Sequence, residues 1–162
     1  MLRLPEQYDD LFQRFFGRSC DTCNKVPTHP LVCLICAKMV CLDPCCLLRL
    51  PVMGRPEMDP VSVYEPSKHV AECAHLACPF MAINASVVVF IYKNMGCAWG
   101  SVYLDAHGEE DRNLKRGKPL MLSQKRMDAL QRDWLSMDLQ RIMMYRSLNE
   151  LSVFLDASHY RM

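Results

Sequence analysis

The chain has 162 residues, of which 51% are hydrophobic and 23% charged, and its net charge is +1. This composition is typical of one folded domain with its own core, and not of a disordered segment. Its charge gives no reason to expect binding to nucleic acid or to a membrane surface, and no apolar run is long enough to span a bilayer.

The expected compartment determines how the ten cysteines are interpreted. The first residues carry charge and a proline where a secretory signal needs an apolar stretch, so we expect a protein of the cytoplasm or nucleus. Thiols stay reduced there, which favours metal ligands and buried thiols over disulfides. A secreted, disulfide-bonded domain is the alternative.

The first predicted element is a helix over residues 4–17. Pro5 suits its first turn, and Gly17 suits its end. The apolar side chains that recur at helical spacing are expected in the core: Tyr8, Leu11, Phe12 and Phe15.

A cysteine-rich segment follows, and it contains two C-x-x-C pairs, Cys20 with Cys23 and Cys33 with Cys36. Such a turn brings two thiolates to one side of a tight bend, at a spacing that tetrahedral Zn²⁺ accepts. Two more ligands must come from elsewhere in the chain. The next group of Cys and His residues consists of His69, Cys73, His75 and Cys78. We predict that zinc joins these two segments.

Several residues in and near this segment have two interpretations. His29 precedes a proline in an extended loop, where it is either solvated or a ligand. Four other cysteines, taken singly, are at least as well explained as buried apolar thiols as they are as metal ligands: Cys41, Cys45, Cys46 and Cys97.

The middle of the chain is predicted to contain loops and a small sheet. A short helix is expected at residues 38–50. Four prolines in residues 51–66 predict a loop or linker with no regular element. The β-branched run at 86–92 predicts a strand covered on both faces, because it shows no polar alternation. A turn at 93–96 and a second, antiparallel strand at 99–104 follow.

The last third of the chain begins with a charged loop at residues 105–119, whose acidic and basic halves can pair with one another. Ser123 is the expected N-cap of a long helix. Its apolar stripe is formed by Met127, Leu130 and Trp134.

Two other zinc-dependent classes match the sequence less well: a complete RING finger is rejected, and a zinc hydrolase or deaminase is kept as a less favoured alternative. A RING finger needs a closing C-x-x-C, and the position where its Cys/His knot should continue is Met81. A zinc deaminase needs H-x-E followed downstream by P-C-x-x-C. Here His107 and Glu109 come after the Cys33 pair instead of before it. A zinc hydrolase would also need an open coordination position beside Glu109.

Three strings carry a resemblance to a known family: Cys33-Leu-Ile-Cys36, Ile83-Asn-Ala-Ser-Val-Val-Val-Phe90, and Tyr103-Leu-Asp-Ala-His-Gly-Glu-Glu-Asp-Arg-Asn-Leu-Lys-Arg-Gly-Lys-Pro-Leu120. They resemble the C-terminal region of the UBR family of E3 ubiquitin ligases, the N-recognins of the N-degron pathway. The third string is most similar to the UBR3-like branch. The resemblance covers about residues 4–134, and the residues after about 140 do not resemble the family.

The resemblance implies two sets of zinc ligands. The first site is formed by Cys33, Cys36, His69 and Cys73. A second site is formed by Cys20 and Cys23 with Cys45 and Cys46. His75 and Cys78 fall where the family has other residues.

Two departures from the family pattern concern glycines that follow the metal-binding pairs. This chain has Ala37 after Cys36 and Ala74 after Cys73. Glycine at such positions usually serves a backbone angle that a Cβ resists. An alanine forced to a positive φ costs about 1–2 kcal/mol.

The resemblance implies a structural part of a ubiquitin ligase in protein degradation. The UBR box and the RING of the family are not recognised in this chain, so no catalytic residues are expected on it. Its expected contacts are other domains of the ligase and, through them, E2 and ubiquitin, without nucleic acid, membrane or small-molecule substrate. A stand-alone zinc-dependent interaction module is the alternative.

The sequence as a whole predicts an α+β fold: a zinc-stapled Cys-rich domain with a short antiparallel sheet and flanking helices. The domain is expected over residues 1–136. Its parts are a Cys-rich core at 18–80, a sheet and charged loop at 83–120, and a helix at 123–136. Residues 137–162 are expected to form a helical tail.

Overall fold

The computed structural model describes residues 1–50, 61–74, 77–92 and 95–136. The predicted tail at 137–162 and His75 lie outside the described residues. In chain order the helices and strands are α1 (Tyr8–Phe15), β1 (Pro30–Cys33), β2 (Met39–Cys41), β3 (Leu47–Leu50), β4 (Val61–Tyr64), α2 (Glu65–Cys73), β5 (Cys78–Ala82), β6 (Val87–Tyr92), β7 (Met95–Gly100), β8 (Tyr103–Leu104), β9 (Met121–Leu122) and α3 (Gln124–Leu135).

A five-stranded antiparallel sheet with the order β2-β1-β5-β6-β7 lies at the centre of the fold. Two short antiparallel pairs, β3 with β4 and β8 with β9, accompany it. The predicted α+β fold with a small antiparallel sheet and flanking helices is therefore confirmed. None of the helices in the described ranges is long and apolar enough to cross a membrane.

The two faces of the sheet carry different layers. Along β6, Val88 and Phe90 belong to one buried cluster, which also contains residues of α1 and α3. The alternating residues Val87, Val89 and Ile91 belong to a second cluster, which includes part of α2. The prediction that this strand is covered on both faces is confirmed. Each fully buried aliphatic side chain stabilises the fold by about 1.5–3 kcal/mol.

The two helices predicted at residues 4–17 and 123–136 are present as α1 and α3. In α1, Tyr8, Leu11 and Phe15 are buried, and Phe12 packs against them at the edge of the core. The helix begins later than predicted, because residues 6 and 7 pair with β9 in extended conformation. In α3, the side chain of Ser123 accepts a hydrogen bond from the Arg126 amide, so the predicted N-cap is confirmed.

The predicted helix at 38–50 is wrong. This segment contains β2, a single 3₁₀ turn at Pro44–Cys46, and β3. The backbone of β2 pairs with β1 in a hairpin, and Pro44 then forbids a helix from continuing through it.

The prediction of no regular element in 51–66 is wrong at its C-terminal end. β4 and the start of α2 lie there, whereas 51–60 lie outside the described residues. Pro66 is compatible with a helix because it occupies the first turn, where its missing N–H has no intrahelical partner to lose.

The predicted strand at 99–104 combines parts of two strands, β7 and β8. The chain turns a corner between them at Gly100, which has a φ of +124°. The Ser101 hydroxyl holds this corner by accepting from the Tyr103 amide at 3.0 Å and by contacting the Ser86 hydroxyl at 3.0 Å. Of the predicted turn at 93–96, the last two residues belong to β7, and the first two lie outside the described part.

Candidate metal centres

Among the described residues, two groups of four potential metal ligands lie in the cysteine-rich half of the chain, and in each group the ligand atoms are all within 4.8 Å of one another. We call the group of Cys33, Cys36, His69 and Cys73 the first centre. We call the group of Cys20, Cys23, Cys41 and Cys46 the second centre.

The two C-x-x-C turns have the same backbone construction. In the first centre, Cys33 accepts a backbone hydrogen bond from Ala37 at 3.0 Å and donates one to Lys38 at 2.9 Å. In the second centre, Cys20 accepts from Asn24 at 2.8 Å and donates to Lys25 at 2.8 Å.

The fifth residue of each turn has a positive φ, +64° at Ala37 and +56° at Asn24. The amide two residues after the leading cysteine donates to its sulfur at 3.4 Å in both turns. At Cys33 this backbone donor favours the thiolate form, which is the form that binds a metal.

The helix α2 completes the first centre. His69 and Cys73 are four residues apart, so their side chains lie on the same face of the helix. The Nε2 atom of His69 is 3.4 Å from the Cys36 sulfur, and the Cys73 sulfur is 4.0 Å from that of Cys33. The imidazole packs edge-on against Phe80, with ring centroids 5.9 Å apart, which fixes its orientation.

The second centre collects its four sulfurs from three local structures. Cys20 and Cys23 come from the first C-x-x-C turn, Cys41 ends β2, and Cys46 ends the 3₁₀ turn. The sulfurs of Cys20 and Cys46 are 3.5 Å apart.

Cys45 lies at the rim of the second centre. It is exposed, its sulfur is 3.4 Å from that of Cys23, and it also groups with Cys41 and Asp43. The group of four contains the buried Cys41 and not Cys45, and Cys45 stays a predicted ligand at its rim.

These distances can be compared with a tetrahedral site. With Zn–S bonds of about 2.3 Å and Zn–N bonds of about 2.0 Å, the ligand atoms lie about 3.5–3.8 Å apart. Three ligand-atom separations in the two centres, Cys20 to Cys46, Cys33 to Cys73 and Cys36 to His69, are between 3.4 and 4.0 Å. The donor sets, four sulfurs and three sulfurs with one imidazole, are both ones that structural zinc uses. The residues present therefore fit a metal ion of this kind.

Burial and hydrogen bonding shift the pKa values of the thiols. A hydrogen bond from Cys78 lowers the pKa of Cys33 to about 4. Burial raises the pKa of Cys73 and of Cys41 to about 12. Burial likewise raises the pKa of Cys46. A metal ion must displace the protons of the thiols whose pKa is raised, and these thiols occur in both centres. The metal affinity of both centres therefore falls as the pH is lowered.

The carboxylate of Glu65 is buried against the second centre. It accepts hydrogen bonds from the Cys41 amide at 2.8 Å and from the Thr22 hydroxyl at 2.7 Å. The Cys20 sulfur lies 3.6 Å from the same carboxylate. No sequence pattern indicates this role, since Glu65 lies in the predicted loop at 51–66, far from Cys41 along the chain.

The other residues considered from the sequence lie outside both groups. Cys78 is buried beside Cys33, and Cys97 is buried in the core below α1 and α3. The Nδ1 atom of His29 is 2.8 Å from the Asp43 carboxylate, which also accepts from the backbone amides of Thr28 and His29. All ten cysteines are free thiols, so the disulfide alternative is not supported.

The residues of the deaminase alternative lie elsewhere. Glu109 is in the charged loop, where it forms an ion pair with Arg116. Among the described residues, no candidate metal group includes Glu109 or His107. A zinc-bound water beside Glu109 therefore has no site in this part of the chain.

Comparison with known proteins places the chain in context. A family model described as Proteolysis_6 C-terminal matches residues 1–136. The E3 ubiquitin-protein ligase UBR3 of Homo sapiens is 42% identical over 136 residues, which are 84% of this chain and 7% of that protein. Ubr3 of Drosophila melanogaster is 38% identical over 136 residues, 84% of this chain and 6% of that protein.

A plant ligase is also similar. The E3 ubiquitin-protein ligase PRT6 of Arabidopsis thaliana is 31% identical over 132 residues, 80% of this chain and 6% of that protein. The chain thus spans less than a tenth of the length of these relatives.

Proposed function

This chain belongs to the Proteolysis_6 C-terminal family, and on that basis we propose that it is the C-terminal structural zinc-binding part of a UBR-type E3 ubiquitin-protein ligase. The resemblance to UBR ligases noted from the sequence is confirmed by the match and by the UBR3 relatives. The process in which it acts is ubiquitin-dependent protein degradation, in the N-degron pathway.

The observation that carries the zinc assignment is the identical construction of the two C-x-x-C turns, each beside two further ligands. A structural zinc contributes about 10–16 kcal/mol of apparent binding free energy, whereas a whole domain is stable by about 5–15 kcal/mol. Zinc at these centres would therefore decide whether this region folds. Both sets contain four ligands, which leaves no open position for a reacting water.

The domain is shorter than the whole chain. We propose residues 1–136 as this unit, because the family match and both centres fall within them. Its role is to pack against other domains of the ligase and support their arrangement. The contacts with E2 and ubiquitin are made by those domains, and the cytoplasm or nucleus is the compartment that suits reduced thiols.

The metal assignment is tested by measuring zinc in the purified chain. Two zinc ions per chain are expected, and a chelator should unfold the protein as judged by circular dichroism. A matched control replaces Cys97, which lies in the core and not in either centre, by Ala. Cys97→Ala should keep both ions, whereas Cys73→Ala should lose one. A chain that folds without bound metal would contradict the assignment.

The ligase assignment is tested by exchanging the matching region of a relative for this chain. In human UBR3, the matching region is replaced by residues 1–136 of this chain, and autoubiquitination by the full-length protein is measured. The chimaera should keep the activity, and a chimaera with Cys33→Ala and His69→Ala should lose protein stability together with activity. An exchange that abolishes activity while leaving a stable, zinc-loaded protein would contradict the proposed role.

A further inference from the structure

The helix α2 lies between the two centres and touches both. Glu65, His69 and Cys73 are spaced by four residues, so they follow one another along a single face of the helix. With a rise of about 1.5 Å per residue, this face extends about 12 Å from the carboxylate to the last ligand. Its first residue contacts the second centre, and the other two belong to the first centre.

The position of Glu65 is unusual for a carboxylate. Only 6% of the residue is exposed, and no ion pair in the described part of the chain includes it. A buried charge is costly unless hydrogen bonds compensate it. Here the compensation comes from three donors in the second centre or its turn: the Thr22 hydroxyl, the Cys41 amide and the Cys20 thiol. The hydroxyl and the amide keep their protons when the cysteines hold a metal, whereas the Cys20 thiol gives up its proton on binding one.

We propose that α2 couples the two centres and that Glu65 is the positioning residue responsible for the coupling. A metal at the second centre fixes Cys41 and the turn that carries Thr22. Both donors then fix the first turn of α2, and the helix presents His69 and Cys73 in the geometry that the first centre needs. Metal bound at either centre therefore raises the affinity of the other, because such coupling is reciprocal. This inference rests on the proposed zinc-binding function.

A second physical link between the centres provides the competing explanation. The hairpin β1–β2 carries Cys33 of the first centre at one end and Cys41 of the second centre at the other. Metal bound at one centre could therefore order the other through this hairpin, without Glu65. The experiment must therefore separate the helix from the hairpin. Glu72 allows a matched control, because it lies on the same helix, is exposed, and forms an ion pair with Lys68.

The experiment measures the affinity of each centre in the full chain with cadmium as the probe. Cadmium NMR gives separate resonances for a site with four sulfurs and for one with three sulfurs and an imidazole, and a competing chelator is added in steps. The proteins are wild type, Glu65→Ala and Glu72→Ala, each with the second centre intact or disabled by Cys20→Ser and Cys46→Ser.

In wild type and Glu72→Ala, disabling the second centre is expected to weaken the first centre about tenfold, within the usual range of coupling. In Glu65→Ala, the first centre is already weakened, and disabling the second centre changes it by less than about twofold. A full tenfold effect that persists in Glu65→Ala would assign the coupling to the hairpin and overturn the proposal. An effect below twofold in wild type would overturn it as well.

Two further variants keep the proposal testable if Glu65→Ala does not fold. Glu65→Gln retains an acceptor for the Cys41 amide and can donate to the Thr22 hydroxyl, so it should keep most of the coupling. Thr22→Val removes one bond without altering α2 and should reduce the tenfold effect to about threefold. Undiminished coupling in Thr22→Val would contradict the proposal. A wild-type chain that holds no metal refutes the proposed function too, whereas two uncoupled ions refute this inference alone.

Discussion

At the scale of single residues, the two C-x-x-C turns share three backbone hydrogen bonds but carry different residues at their fifth position. Asn24 and Ala37 both have a positive φ. Asn tolerates this conformation because its side chain can hydrogen-bond locally, whereas Ala has a Cβ and no such compensation. The sequence predicted the strain at Ala37 correctly. At Ala74 the expectation was wrong, because its φ of −131° is one that any residue adopts.

The first prediction follows from this difference. Ala37→Gly should raise the free energy of unfolding by about 1 kcal/mol, because relief of strain outweighs the added entropy of the unfolded chain. The measurement is the denaturant midpoint of the metal-loaded protein. Asn24→Ala at the equivalent position should lower stability, and Ala74→Gly should lower it by about 0.4–1 kcal/mol. Equal effects of the two glycine substitutions would refute the strain argument.

The second prediction concerns the choice between two thiols at the second centre. Cys41→Ser should weaken zinc binding there by more than about 100-fold, because a clustered sulfur is lost. Cys45→Ser should change it by less than about threefold, because this sulfur lies at the exposed rim. Competition with a chromogenic chelator measures both. The reverse order of effects would support the set predicted from the sequence, in which Cys45 is a ligand.

At the scale of elements, the sequence predicted those whose signal is local. The strand β6 and the helix α3 have continuous apolar patterns and a clear cap, and both were found within a residue or two. The helix α2 was missed because Pro66 and the three prolines before the helix resemble a linker, and its burial depends on contacts with the distant β2. Cys41 and Cys45 could not be told apart either, since strand pairing decides which of them faces the other sulfurs.

The charged loop at 105–119 begins with a buried acid, Asp105, which contacts residues later in the loop. The side chain of Asp105 is 1% exposed and lies 3.3 Å from the Lys118 ammonium. It accepts hydrogen bonds from the amides of Glu109 and His107, each at 2.9 Å. These amide bonds, with Lys118, lower its pKa to about 2. The predicted pairing of acidic and basic halves is confirmed by this contact and by Glu109 with Arg116.

The third prediction tests this arrangement. Asp105→Asn should lower the denaturant midpoint at neutral pH, because the NH2 group that replaces Oδ2 cannot accept from Lys118 and the uncharged Oδ1 is a weaker acceptor for the two backbone amides. A lowered pKa stabilises the fold above the ordinary Asp value of about 4, and this stability is lost as the pH falls toward about 2. The difference between variant and wild type should therefore be constant from about pH 8 to about pH 5. Asp128→Asn, on the exposed side of α3, should have no effect; a difference that disappears by pH 5 would contradict the account.

At the scale of the whole molecule, the five-stranded sheet lies between two packed layers, and only one of them contains metal ligands of the first centre. One face packs against α1 and α3 in a buried cluster that contains no candidate metal ligand of either centre and includes Tyr8 and Tyr103, whose ring centroids are 5.0 Å apart. The other face packs against α2 and contains Cys33, so its order depends on the first centre. Because adjacent residues of β6 point to opposite layers, neither layer can lose its packing without disturbing the strand shared by both.

The fourth prediction follows from this shared sheet. Both tryptophans of the chain report the layer remote from the centres: the indole of Trp99 donates to Asp133 at 2.8 Å, and that of Trp134 donates to the Ala77 carbonyl at 3.1 Å. When a chelator removes the metal, tryptophan fluorescence should change at the same chelator concentration as metal release, as one transition. The reason is that a metal contribution of about 10–16 kcal/mol exceeds what the remaining layer supplies. Fluorescence that stays native after both ions have left would mean that the α1 and α3 layer is stable by itself, and that the centres staple only their own half of the molecule.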